Sequence, residues 1–176
     1  MPIGLERRQS TGQLHFVTFS CYHRLPFLDS SEPKNVLERA VERARQSHSL
    51  DIYAYVLMPE HVHLLTGEPD VRTLASFLRV VKGESSKLLR GERERFWQSR
   101  YYDFNTFTTG KFVEKVQYIH RNPVTRGLVA RSEDSRWSSF RHYAMGEEGV
   151  IRIASHWVDR ERFALRANAH SCDETA

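Results

Sequence analysis

Residues 52–58 (Ile-Tyr-Ala-Tyr-Val-Leu-Met) and 61–66 (His-Val-His-Leu-Leu-Thr) are strand-like runs separated only by Pro59 and Glu60. A connection this short suits antiparallel strands and leaves no room for a crossover helix. Each flank of the pair carries a helical pattern and then another strand-like run. Upstream, Leu14–Tyr22 is rich in aromatic and β-branched residues. It precedes a helix that Ser31 can cap, with Pro33 in the first turn, a stripe of Val36, Leu37, Ala40, Val41 and Ala44, and an end near Ser47. Downstream, a second helix is predicted from Thr73 to Leu89, burying Leu74, Phe77, Leu78, Val81 and Leu88. An Arg-rich loop, Arg90 to Arg95, leads to a fourth strand at Tyr101–Phe104. A third helix starts near Thr109 and is predicted to stop at Pro123, which lacks the N–H a helix needs. The order β-α-β-β-α-β-α predicts an α+β fold: a ferredoxin-like β-α-β-β-α-β antiparallel sheet, two helices on one face, and an additional C-terminal helix.

The chain has 176 residues, enough for one domain with its own core. That domain is expected to span 1–176, with its core at about 14–143; the polar, aperiodic stretch 167–176 is expected to be disordered. No apolar run approaches the ~18 residues that span a bilayer. No secretory signal is visible, so the expectation is a cytoplasmic protein without a membrane partner. Two cysteines, Cys21 and Cys172, form neither a disulfide framework nor a zinc-ligand pair. The net charge is +4, and 21 of the 26 basic residues are Arg. Arg offers a planar fork to phosphates and a face to bases, although Arg-biased codons would give the same excess. Charge thus permits a nucleic-acid partner without requiring one.

His61 and His63 are two apart on a predicted strand, so both imidazoles share one face, about 7 Å apart at the backbone. They can ligate one cation, or be a pair of exposed strand histidines with no ligand. Val62 and Leu64 would then point into the core. On the third helix, Phe112, Val113, Val116 and Ile119 form the apolar stripe. Tyr118 falls roughly opposite the stripe's centre, with Glu114 and Asn122 on its own side. A tyrosine placed so is either an amphipathic surface residue or a covalent nucleophile.

The segment Tyr55-Val56-Leu57-Met58-Pro59-Glu60-His61-Val62-His63-Leu64-Leu65 resembles the strand–turn–strand of the HUH single-strand transposases. Residues 118–129, Tyr118-Ile119-His120-Arg121-Asn122-Pro123 onward, resemble their nucleophile helix. Phe96–Asp103 and Trp137–Phe140 are similar to further blocks of the same family. In combination and order, these place the chain nearest the REP-associated tyrosine transposases, over roughly residues 14–143. Many members have Asn where Glu60 stands.

The resemblance implies a nucleophile, Tyr118, and metal ligands, His61, His63 and Asn122, for a divalent cation, Mg2+ or Mn2+. It implies a nuclease and strand transferase acting on single-stranded DNA with a REP-type palindromic hairpin, through a 5′-phosphotyrosine intermediate. It further implies work at the nucleoid, as a monomer or homodimer. Glu114 is a weak candidate base, or the surface partner of Lys111 or Lys115. His120 either binds phosphate or packs. Candidate DNA contacts are Arg24, Arg79, Lys82, Lys87, Arg100, Arg121 and Arg126. The interleaved Arg95–Tyr102 segment suits stacking on unpaired bases, unless Phe96 and Trp97 belong to the core. Two other readings are a domesticated hairpin-binding protein that no longer cuts, and a replication-initiator or relaxase-type protein.

Overall fold

In the computed structural model, residues 13–106 and 108–155 are described. The 167–176 tail lies outside them. The elements run β1 (Leu14–Cys21), α1 (Ser31–Ser47), β2 (Ile52–Leu57), β3 (His61–Thr66), α2 (Leu74–Leu89), β4 (Trp97–Thr106), α3 (Thr109–Thr125) and α4 (Phe140–Met145). The four strands form one antiparallel sheet in the order β2-β3-β1-β4. This is the predicted ferredoxin-like arrangement.

Strand alternation divides the side chains between two layers. Val17, Phe19, Val62 and Leu64 join α1 and α2 in the larger core, around Leu37, Val41, Phe77 and Val81. The opposite face presents Phe16, Ala54, Val56, Met58 and Leu65 to Ile119 of α3. Ile151 and Ile153 are buried in the larger core, so packing continues past residue 143. The β2 edge is covered by later chain: Leu57 N–H donates to Trp137 O (2.9 Å), Ser139 N–H to Tyr55 O (3.0 Å) and Ala154 N–H to Ile52 O (2.8 Å). Covering an edge in this way removes a template for unwanted pairing.

Several local expectations are corrected. Ser30, not Ser31, occupies the N-cap of α1, and its side chain makes no capping bond. Leu88 is 68% exposed, and Leu89 of the same turn packs against the core in its place. Val113 is likewise exposed, and the buried stripe of α3 passes through Ile119, His120, Asn122 and Pro123. The fourth strand is longer than predicted, since Phe96 and Trp97 anchor its start in the core.

The most consequential correction concerns Pro123. It lies inside α3, which continues to Thr125. A proline this near the end forfeits one hydrogen bond and leaves the rest of the last turn intact. The helix stops at Gly127, whose φ of 68° suits glycine. Gly127 N–H donates to Val124 O and Leu128 N–H to Pro123 O, both at 2.9 Å, the pair of bonds that closes a Schellman end.

Candidate active site

The alternation that sends Val62 and Leu64 into the α1–α2 core turns His61 and His63 toward α3. They are 3% and 5% exposed, so the reading of two solvent-facing histidines does not hold. Their Nε2 atoms face each other at 3.0 Å. His63 Nδ1 lies 2.7 Å from Thr18 Oγ1, its cross-strand neighbour on β1. His61 Nδ1 lies 3.1 Å from Glu60 Oε1. Burial, reinforced by the charges of His61, Arg24 and Lys115, holds His63 down to about 3. Burial also lowers His61, against the opposing pull of Glu60. Both rings are therefore neutral at physiological pH, the state in which imidazole ligates metals.

Tyr118 stands on α3 beside this pair. Its ring meets His63 edge-on at 5.3 Å and Phe16 at 5.7 Å, and the residue is 48% exposed. It flanks the sheet-facing side of α3 more closely than simple helical arithmetic predicts, with its other side open to the cleft. One turn later Asn122 is buried, with Nδ2 3.4 Å from His63 Nε2 and Oδ1 buried without a hydrogen-bond partner. A flip of that amide aims an oxygen at the same point.

The donor set can be tested against a cation. An N–H at His61 Nδ1 would face the Glu60 carboxylate, 3.1 Å away. If Thr18 likewise accepts from His63 Nδ1, both Nε2 lone pairs face one point, where a shared cation would hold them. Adjacent ligands of an octahedral cation with bonds of ~2.1 Å lie ~3.0 Å apart, close to the spacing observed. Two imidazoles, one orphaned amide oxygen and open space beyond fit an Mg2+- or Mn2+-like ion that keeps positions for other oxygens.

The cleft beyond is about 520 Å³, and Arg24, Arg121 and Arg126 line it with Tyr118, Gln117 and Glu114. Three of the candidate DNA contacts are thus brought to the site. Arg79, Lys82 and Lys87 are not, because α2 covers the other face of the sheet. Lys82 Nζ donates to Gln98 O (2.9 Å) and Ser99 O (3.4 Å) beside Phe19 and Tyr101, and burial lowers it to about 8. Arg100 is exposed on the edge strand β4. Phe96 and Trp97 are core, which leaves Tyr102, 41% exposed and paired with Thr18 across β1, as the accessible aromatic of that segment.

Glu114 is held by Lys111 (2.7 Å) and Lys115 (3.4 Å), the surface pairing rather than a base aimed at Tyr118. His120 is packed, with Nε2 2.8 Å from Ser139 Oγ and its ring against Phe140 and Tyr143. Residues that sequence reasoning missed include Thr18 and Lys115. Lys115 Nζ lies 5.1, 5.5 and 5.9 Å from the rings of Phe16, Phe104 and Tyr118. Strand register would have found Thr18, and the three-residue step back from Tyr118 would have found Lys115.

The description of the IS200-like transposases matches residues 8–122, and the chain belongs to that family. A REP-associated tyrosine transposase of Escherichia coli (strain K12) is 26% identical over 106 residues, 60% of this chain and 63% of that protein. The similarity thus spans under two thirds of that relative's length. A solved structure of a REP-associated tyrosine transposase bound to a REP hairpin aligns with a TM-score of 0.71 at 23% identity, covering 88% of this chain and 93% of that one. That likeness establishes a shared fold. Among the described residues, no helix is long and apolar enough to cross a membrane.

Proposed function

We propose that this protein is a divalent-metal-dependent endonuclease and strand transferase for single-stranded DNA, acting on REP-type hairpins through Tyr118. The observation that carries the reading is the convergence of two neutral, buried imidazole nitrogens beside a half-exposed tyrosine of the same chain. His61, His63 and Asn122 would hold Mg2+ or Mn2+. When bound, the ion would polarise the scissile phosphate and offset its charge.

The chain's own residues supply the rest. Arg24 and Arg121 draw the strand's phosphates into the cleft. The rigid helix α3 presents Tyr118 toward phosphorus. Its oxygen bonds to phosphorus as the bond to the 3′-oxygen breaks; the phenolic proton is lost, and the 3′-oxygen takes up one. The products are a 5′-phosphotyrosine and a free 3′-hydroxyl. Attack by another 3′-hydroxyl reverses the step, so the covalent link stores the bond and no nucleotide cofactor is needed. All of these groups come from one chain, so the reading requires no second copy.

The test is incubation with a single-stranded REP-type hairpin and Mn2+, read on a denaturing gel. A covalent protein–DNA band that depends on Mn2+ is expected. Hairpin binding with no such band would leave a binding protein that does not cut.

A further inference from the structure

One carboxylate joins three segments of the site. Glu60 sits in the β2–β3 turn, and its backbone oxygen accepts from Cys21 N–H at the end of β1 (2.9 Å). Its Oε1 lies 3.1 Å from His61 Nδ1, 2.9 Å from Arg126 Nη2 and 3.4 Å from Arg24 Nη2. Arg126 is the C-cap of α3, and the Schellman bonds at Gly127 and Leu128 fix it to the helix's last turn. The ion pair therefore connects the end of the tyrosine helix to the turn that starts the histidine strand.

We propose that Glu60 is a positioning residue, a latch that holds α3 on the histidine strand of its own chain through Arg126. Ile119 supplies the apolar grip of α3 on the sheet, but apolar contact is non-directional and tolerates sliding. A charge-assisted bond to a guanidinium is directional, and it is stronger for a carboxylate that is only 11% exposed at its side chain. The same oxygen faces His61, so a shift of α3 is felt at the imidazole pair. The consequence for catalysis rests on the function proposed above; the latch itself does not.

Hydrogen exchange on the free, full-length protein tests the latch without DNA or metal. In Arg126→Gln, amides of residues 119–126 are expected to exchange about tenfold faster while those of β1 stay unchanged, the pattern of a local opening. Arg126→Lys should restore most of the protection. The Glu60→Gln/Arg126→Gln double variant should exchange no faster than Glu60→Gln alone, because the Glu60–Arg126 interaction is lost once. Unchanged exchange in Arg126→Gln, or additive effects in the double variant, overturns the latch. Single-turnover cleavage of a hairpin supplies the second readout: Arg126→Gln should lower the rate about tenfold, with hairpin Kd held within about twofold. A loss of affinity with unaltered α3 exchange would make Arg126 a phosphate contact and overturn the proposal. Faster α3 exchange in a protein whose wild type forms no covalent adduct leaves the latch standing and removes the proposed chemistry.

Discussion

Thr18 and His63 face each other across the two central strands, with 2.7 Å between the Thr18 hydroxyl and His63 Nδ1. With a cation on Nε2 the ring proton would sit on Nδ1, where the Thr18 hydroxyl is placed to accept it. Such outer partners set the tautomer and aim of a ligating histidine. Thr18→Val keeps the shape and removes the acceptor. It is expected to weaken Mn2+ binding about 10–100-fold, the range for a lost outer-shell partner. His61→Ala and His63→Ala should remove metal binding altogether. Titration calorimetry checks all three, and unchanged affinity in both alanine variants would remove the metal assignment.

Tyr118→Phe deletes one half-exposed hydroxyl and keeps the ring that rests on His63 and Phe16. Stability should change by no more than ~0.5 kcal/mol, as for a surface substitution that spares packing. Hairpin binding should persist while the covalent adduct disappears. An adduct formed by the Phe variant would place the nucleophile elsewhere.

The hairpin of Ile52–Leu57 and His61–Thr66 was legible because period-two alternation and a three-residue connection have few structural solutions. His61 and His63 followed from the same alternation. Pro123 is no stop signal where it stands, two residues before the end of α3. Near a helix end the missing N–H costs one bond, and Gly127 was the true stop signal. Lys82 misled because charge alone does not say which face of the sheet a helix covers. Thr18 and the Glu60–Arg126 pair depend on strand register and on how α3 docks. Those relations join residues distant in sequence, which a local pattern does not contain.

Two buried imidazoles, His120 and His63, also set an acid limit on stability. Burial holds His120 at about 4, below the 6.5 it has when solvated. The unfolded chain therefore binds more protons between these values, and stability falls as pH drops from about 6.5 toward 4. The full effect of this one group is about 3 kcal/mol, from 1.36 kcal/mol per pKa unit. His63, at about 3, acts in the same direction. Urea unfolding at pH 7 and pH 4.5 checks the slope in wild type and in His120→Gln. The variant will be less stable at pH 7, because Ser139 loses a partner at 2.8 Å, but its loss between the two pH values should be smaller. An identical pH dependence would remove His120 from the effect.

The site also predicts which form of DNA is accepted. The imidazole pair lies buried behind Tyr118, between α3 and the sheet, and a phosphate must enter that gap to reach both. A single strand can bend its backbone into the cleft, whereas a continuous duplex presents each phosphate on a stiff, wide surface. Tyr102 is exposed on the same face, one strand across from Thr18, and offers a platform for an unpaired base. Stacking of one base is worth ~1–3 kcal/mol, so Tyr102→Ala should weaken single-strand binding about 5–150-fold and leave duplex binding near its original level. Phosphate contacts make both affinities fall with salt, so the comparison belongs at one ionic strength, near ~0.15 M. A hairpin with a single-stranded flank should be bound and cleaved in strong preference to the same sequence as continuous duplex. Equal affinity and equal cleavage on the two forms would point to an ordinary duplex endonuclease and overturn the reading of this cleft as a single-strand site.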